Sequence, residues 1–161
     1  MKKRESGFTL IELLIVIAII GILAAIAIPN LLNAVQRGKQ KRSMSDIRTM
    51  ATAVEAYAVD NNFYPNAQCT GKFTAITSVL NATTGLSVLA PTYIANPVRL
   101  DGWRNAFLYN TSSNNQEYGF ISRGRDGTAD TGFTCITTTN FNDDIVYSNG
   151  GFINYPEGAQ N

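Results

Sequence analysis

The sequence predicts an α+β chain, one long N-terminal α-helix packed against a small antiparallel β-sheet. An apolar run from Leu13 to Ile28 approaches the span of a bilayer with its flanks. Beyond it Ile47, Met50, Ala51, Val54, Tyr57 and Ala58 keep the 3/4 spacing of an amphipathic helix, with Asp46, Arg48 and Glu55 between them. Past Pro65 the periodicity shortens, and strand-like pieces alternate with Gly, Asn and Asp clusters.

The helix is expected from Phe8 to about Asp60, where Asp60-Asn61-Asn62 precedes Pro65. At about 1.5 Å per residue it would be roughly 80 Å long. Only its second half has an amphipathic face, so only that half needs a globular domain to cover it. Gly21 and Pro29 interrupt the apolar half. Pro29 lacks the N–H that would bond the Ala25 carbonyl, which predicts a kink or local opening. Short helices or turns follow at Phe73–Leu80 and Leu86–Ile94, and strands at Phe107–Thr111, Tyr118–Ser122, Phe133–Thr138 and Ile145–Ser148. Trp103, the one tryptophan, reads as packing between sheet and helix.

Composition excludes several functions. The chain has 161 residues, a net charge of +1 and no histidine. A near-neutral surface argues against nucleic acid as the main ligand. Without histidine the commonest general acid/base, and any Ser-His or Cys-His nucleophile, is gone. The run from Gly127 to Thr134 has the glycine spacing of a phosphate-binding loop, but Phe133 stands where its lysine must be. No enzyme is expected. The basic residues Arg37, Lys39, Lys41 and Arg42 read as a solvated face where the helix leaves the membrane.

Glu12 is the one charge inside the apolar stretch, directly after Lys2-Lys3-Arg4-Glu5-Ser6-Gly7. A carboxylate at bilayer depth costs roughly 2.5–3.5 kcal/mol on insertion scales, so it needs a partner. The segment Gly7-Phe8-Thr9-Leu10-Ile11-Glu12 resembles the type III signal of type IV pilins and type II secretion pseudopilins. That resemblance implies a type IV pilin-like fold, cutting between Gly7 and Phe8 by a prepilin peptidase, and methylation of the new amine. Glu12 would pair with the Phe8 amine of a neighbouring subunit, making a homo-oligomeric helical filament. The Gly21–Pro29 stretch would loosen as subunits leave the membrane and pack.

The organisation implied is a leader at 1–7, a membrane and filament-core half-helix at 8–34, and an amphipathic half-helix with its globular domain at 35–161. Losing residues 1–7 removes a net +2 and leaves −1. Basic residues flank both ends of the apolar run, so charge alone decides no orientation. The resemblance places the leader in the cytoplasm and the rest outside a bacterial inner membrane, in the periplasm, or at the cell surface in a true pilus.

Asp101-Gly102-Trp103-Arg104-Asn105, with Tyr109 beyond, resembles the Asp-Pro-Trp-Gly-Asn-Pro-Tyr segment of type II secretion major pseudopilins, with Gly102 in place of the first proline. Ser122-Arg123-Gly124-Arg125-Asp126-Gly127, followed by Asp143-Asp144-Ile145, resembles their calcium loop. The resemblance implies Ca²⁺ ligands at Asp126 and Asp144, with the Arg123 carbonyl, and at Asp143 and Asp130 more weakly. Oxygen donors in a glycine-bearing loop suit that ion. An EF-hand fails, since Thr131 replaces its glycine and Thr137 its terminal glutamate. The reading without metal is an Asp-Gly turn leading into a polar hairpin.

Cys69 and Cys135 form either one disulfide or two buried thiols. The even count and an oxidising compartment favour the bridge, which would contribute about 4 kcal/mol. The function expected is the major pseudopilin of a type II secretion system, working with minor pseudopilins and an inner-membrane assembly platform. The alternative is the major pilin of a type IV pilus, working with minor pilins.

Overall fold

Helix α1 runs from Leu10 to Asn61 in the computed structural model, which describes residues 7–65, 86–111, 115–130 and 137–157. It runs on through Pro29. One missing N–H costs one rung of the ladder, and the strong helix formers on either side hold the rest. Cys69, Cys135, the Phe73–Leu80 segment and residues 133–136 lie outside the described residues.

The chain divides into two compact units, Met1–Gln36 and Arg37–Asn161. In the first, every large apolar side chain from Phe8 to Val35 is exposed, Ile22 by 63% and Leu31 by 64%. That much apolar surface on a helix longer than a bilayer is thick describes a segment made for lipid or for other helices.

In the second unit the helical stripe Met44, Ile47, Met50, Ala51 and Val54 is buried. It packs with Tyr109, Tyr118, Phe120, Ile145 and Tyr147 from the sheet and with Leu89 and Phe107. The sheet has five strands, β1 (Leu108–Thr111), β2 (Tyr118–Ser122), β3 (Thr137–Thr138), β4 (Ile145–Ser148) and β5 (Gly151–Pro156). Their spatial order is β1-β2-β4-β5-β3. Pairing is antiparallel except between β3 and β5, so the sheet is mixed rather than wholly antiparallel.

Period-two alternation sorts the strand residues. Tyr109, Phe120 and Tyr147 stand in register on the helix-facing side, while Leu108, Ile121 and Val146 form a second apolar row on the other face. Ala129 and Ile153 cover that second row, so the segment after Gly127 is part of the fold. The short helix or turn expected at Leu86–Ile94 is a 3₁₀ helix, Leu86–Leu89, followed by a turn. Pro91 cannot supply the N–H that would continue it.

Candidate functional site

Two places in the chain carry the residues singled out above. The first is the start of α1. Thr9 precedes the first helical residue, and Glu12 sits three residues after it. The Glu12 Oε2 accepts hydrogen bonds from the Thr9 N–H (2.8 Å) and the Thr9 hydroxyl (2.6 Å). The Glu12 N–H donates to the Thr9 Oγ1 at 3.3 Å. This is a reciprocal capping box, and the helix N-terminus favours the negative charge. Thr9 was legible as a cap in the Thr-x-x-Glu spacing, a signal hidden by the attention Glu12 draws. Phe8 is 83% exposed beside it, and a side chain on Gly7 would meet nothing within 4 Å. Pro29 is exposed within α1.

The second place is a clamp in the globular unit. Asp101 is 2% exposed, and its carboxylate ties its own turn to β2 through three hydrogen bonds. Oδ1 accepts from the backbone N–H groups of Trp103 (2.9 Å) and Asn105 (2.8 Å), and Oδ2 from the Ser122 hydroxyl at 2.8 Å. Asn105 in turn donates to the Gly124 carbonyl at 2.8 Å. The Gly102 N–H donates to Ser43 Oγ on α1 at 2.9 Å. A Cβ on Gly102 would overlap the Lys39 backbone. Glycine replaces proline here because the turn touches the helix backbone and needs its N–H. Trp103 is half-buried against the core, as its reading predicted.

The clamped loop is Ser122–Gly127. Gly124 (φ 59°) and Gly127 (φ 71°) adopt left-handed backbone that suits glycine. A Cβ on Gly124 would also collide with the Asn142 carbonyl. The Arg125 N–H donates to the Phe141 carbonyl (2.9 Å) and its Nε to Asn142 Oδ1 (2.9 Å), so this cation points into the neighbouring loop.

The expected metal ligands are distributed unevenly. Asp144 is fully buried. Its Oδ2 accepts from the Asp130 N–H (2.9 Å), and its own N–H donates to Asp130 Oδ2 (3.2 Å). Its Oδ1 is buried without a partner among the described residues. Burial pushes the Asp144 carboxyl up to about 7; the Asp130 N–H opposes this, the Asp130 and Asp126 charges add to it, and Arg123 partly offsets it. Asp126 is exposed and accepts from the Thr128 N–H at 3.0 Å. The Arg123 carbonyl accepts from the Gly127 N–H at 3.2 Å, and its Nε is buried without a hydrogen bond among the described residues.

Asp143 is turned elsewhere. Its Oδ2 accepts from the Thr138 hydroxyl and its Oδ1 from Asn140 Nδ2 at 2.7 Å. Of the two weaker candidates, Asp130 and not Asp143 is therefore the hydrogen-bonding partner of Asp144. Among the described residues no three acidic side chains stand together as a metal cage. The sequence reading missed the roles of Asp101, Asn105 and Ser122. The Asp-x-Trp-x-Asn spacing was the signal for Asp101 and Asn105, and the Ser122–Gly127 match the signal for Ser122.

The family model described as type II secretion system protein G matches residues 30–138. A second, the prokaryotic N-terminal methylation motif, matches residues 2–28. The chain is 30% identical over 128 residues to type II secretion system core protein G of Escherichia coli K12, covering 77% of this chain and 84% of that one. It is 43% identical over 67 residues to core protein G of Aeromonas hydrophila, a match spanning 42% of this chain and 47% of that protein. It is also 38% identical over 152 residues to the type IV major fimbrial protein FimA of Dichelobacter nodosus, covering 86% of this chain and 92% of that one. With the clamp beside a glycine-bearing loop and the protein G match over well more than half its length, the chain belongs to the type II secretion system protein G family, whose members are structural pseudopilins rather than enzymes.

Proposed function

We propose that the chain is the major pseudopilin of a type II secretion system, a filament subunit that polymerises to drive protein export. Prepilin peptidase cuts after Gly7, Phe8 becomes the methylated terminus, and the apolar half of α1 anchors the subunit in the inner membrane with the globular unit in the periplasm. The single observation that carries this reading is the protein G match over residues 30–138, which takes in both clamp and loop. Gly7 supports the processing step, because its own fold makes no steric demand for glycine. The inner-membrane assembly platform and minor pseudopilins are the partners such a filament requires.

The FimA similarity favours a second reading, the major pilin of a surface pilus. Deletion of the gene separates them. On the pseudopilin reading, exported enzymes accumulate in the periplasm while surface fibres persist. Loss of fibres with normal export would favour the pilus.

Calcium belongs to this proposal. Asp144 offers a buried oxygen without a partner among the described residues, and the Asp130 and Asp126 charges raise its proton affinity. Oxygen donors of this kind suit Ca²⁺, with Asp130 beside Asp144 and no third acidic side chain gathered with them among the described residues. Arg123 is the competing cation. The pH dependence has a definite sign. The folded-state pKa of Asp144, about 7, lies above its ordinary 3.8, so the folded state holds the proton longer. Its stabilising contribution is complete below about pH 4 and is lost as the pH rises through 7. In chelator, the melting temperature of the full chain in detergent is expected to fall from pH 5 to pH 8. Millimolar Ca²⁺ raises it more at pH 8 than at pH 5, because it binds the ionised folded form. Equal shifts at the two pH values would remove Asp144 from the site.

A further inference from the structure

Antiparallel pairing of β2 with β4 aligns Ser122 with Ile145, so Arg123 and Asp144 take the next positions outward on the two chains. Alternation puts them on one side of the sheet. Arg123 lies two residues after Ile121 and Asp144 two before Val146, and both apolar residues belong to the row on the face away from α1. Ala129 covers that row, and Asp130 beside it exchanges hydrogen bonds with Asp144. One cation and two carboxylates therefore meet at the end of the row. The other cation of the loop, Arg125, is tied to Asn142.

Each member of the facing pair carries an unsatisfied polar atom. Asp144 Oδ1 and Arg123 Nε are both buried without a hydrogen bond among the described residues, so neither serves the other. Burial raises the Asp144 carboxyl most, and the Arg123 charge partly offsets that rise, so the two are within electrostatic reach. A buried donor and a buried acceptor left open side by side cost stability unless a rearrangement or a third group serves them. The two differ in freedom. Asp144 is fully buried, whereas Arg123 is half-buried on a long stem that can carry its charge into water. We propose that Arg123 sets the calcium affinity of this loop: its guanidinium is the resident counter-charge of Asp144 and swings outward when the ion takes Asp144 and Asp130. The proposal rests on the calcium reading above. A cation beside the site opposes a divalent ion. It places the affinity in the weak range of extracellular sites, about 10⁻⁴–10⁻³ M.

The test is calorimetric titration of Ca²⁺ into the full chain in neutral detergent at pH 8. Arg123→Met keeps an apolar stem and removes the charge, and is expected to bind at least about tenfold more tightly than the parent. Arg123→Lys restores the charge and should return the affinity towards that of the parent. Trp103 fluorescence reports that the variants are folded. A second readout needs no substitution in the chain being measured. In the parent labelled with ¹⁵N-arginine, the Arg123 Nε–H is expected to exchange slowly in chelator and quickly once Ca²⁺ is bound. Equal affinities for the parent and Arg123→Met, or an Nε–H that stays protected with Ca²⁺ bound, would overturn the role of Arg123 and leave the calcium reading standing. Equal tightening by Arg123→Met and Arg123→Lys would overturn it too, by making side-chain shape the cause. Failure of the parent and Arg123→Met alike to bind Ca²⁺ would overturn the calcium reading and this proposal with it.

Discussion

Glu12→Ala is expected to be cut after Gly7 and inserted in the membrane, yet to yield at least tenfold fewer filaments than the parent chain. The cut lies before the helix and involves neither oxygen of Glu12. The substitution removes two things at once, the cap on Thr9 and the negative charge. A lost cap weakens a helix end by about 1 kcal/mol, too little to undo a membrane helix of this length. The charge is what a neighbouring Phe8 amine requires. Glu12→Gln separates the two effects, because glutamine also completes a capping box. It should keep the helix start intact and still fail to polymerise. Fractionation of membranes and electron microscopy of sheared filaments provide the readout. Normal filament yield from Glu12→Gln would mean that the carboxylate serves only as a cap.

Asp101→Ala is expected to lower the stability of the globular unit by about 3 kcal/mol or more. The carboxylate is 2% exposed and accepts three hydrogen bonds. Alanine removes the acceptor of the Trp103 and Asn105 N–H groups in a part-buried turn and that of the buried Ser122 hydroxyl. The loop bearing Asp126 then loses its attachment on one side, with Asn105 alone holding Gly124. Asp101→Asn keeps one acceptor oxygen for the two backbone donors and should cost about half as much. Urea unfolding followed by Trp103 fluorescence measures both. Unchanged midpoints would show that the clamp is dispensable.

The helix was readable because burial on one face repeats every 3.6 residues, and Ile47, Met50 and Val54 are all 1% exposed or less. β2 and β4 were readable to the residue, since each is a short apolar run bounded by turn formers. β5 was not. Gly151 opens it, Pro156 closes it and Asn154 sits within it, all residues that ordinarily mark a turn. Asn154 is buried because its Nδ2 donates to the Asp144 carbonyl at 2.6 Å, a partner ten residues away. The parallel β3–β5 pair is likewise a long-range contact that no local pattern announces.

The same limit governs the loop. Sequence placed Asp143 and Asp144 side by side, but successive side chains diverge as the chain enters β4. Asp144 turns inward to Asp130, and Asp143 turns to Thr138 and Asn140. Asp101 was marked by its motif, but its role as a clamp depends on Ser122, twenty-one residues on. The start of α1 was the reverse case. Signal, cap and charge all lie within Gly7–Glu12, so short-range sequence held nearly all of that site.

Intact-mass measurement of subunits taken from purified filaments tests the central claim most directly. The account predicts a helical filament of one repeating chain that begins at N-methylated Phe8. Filaments containing a chain that still begins at Met1, or a processed chain found only as a monomer, would contradict it.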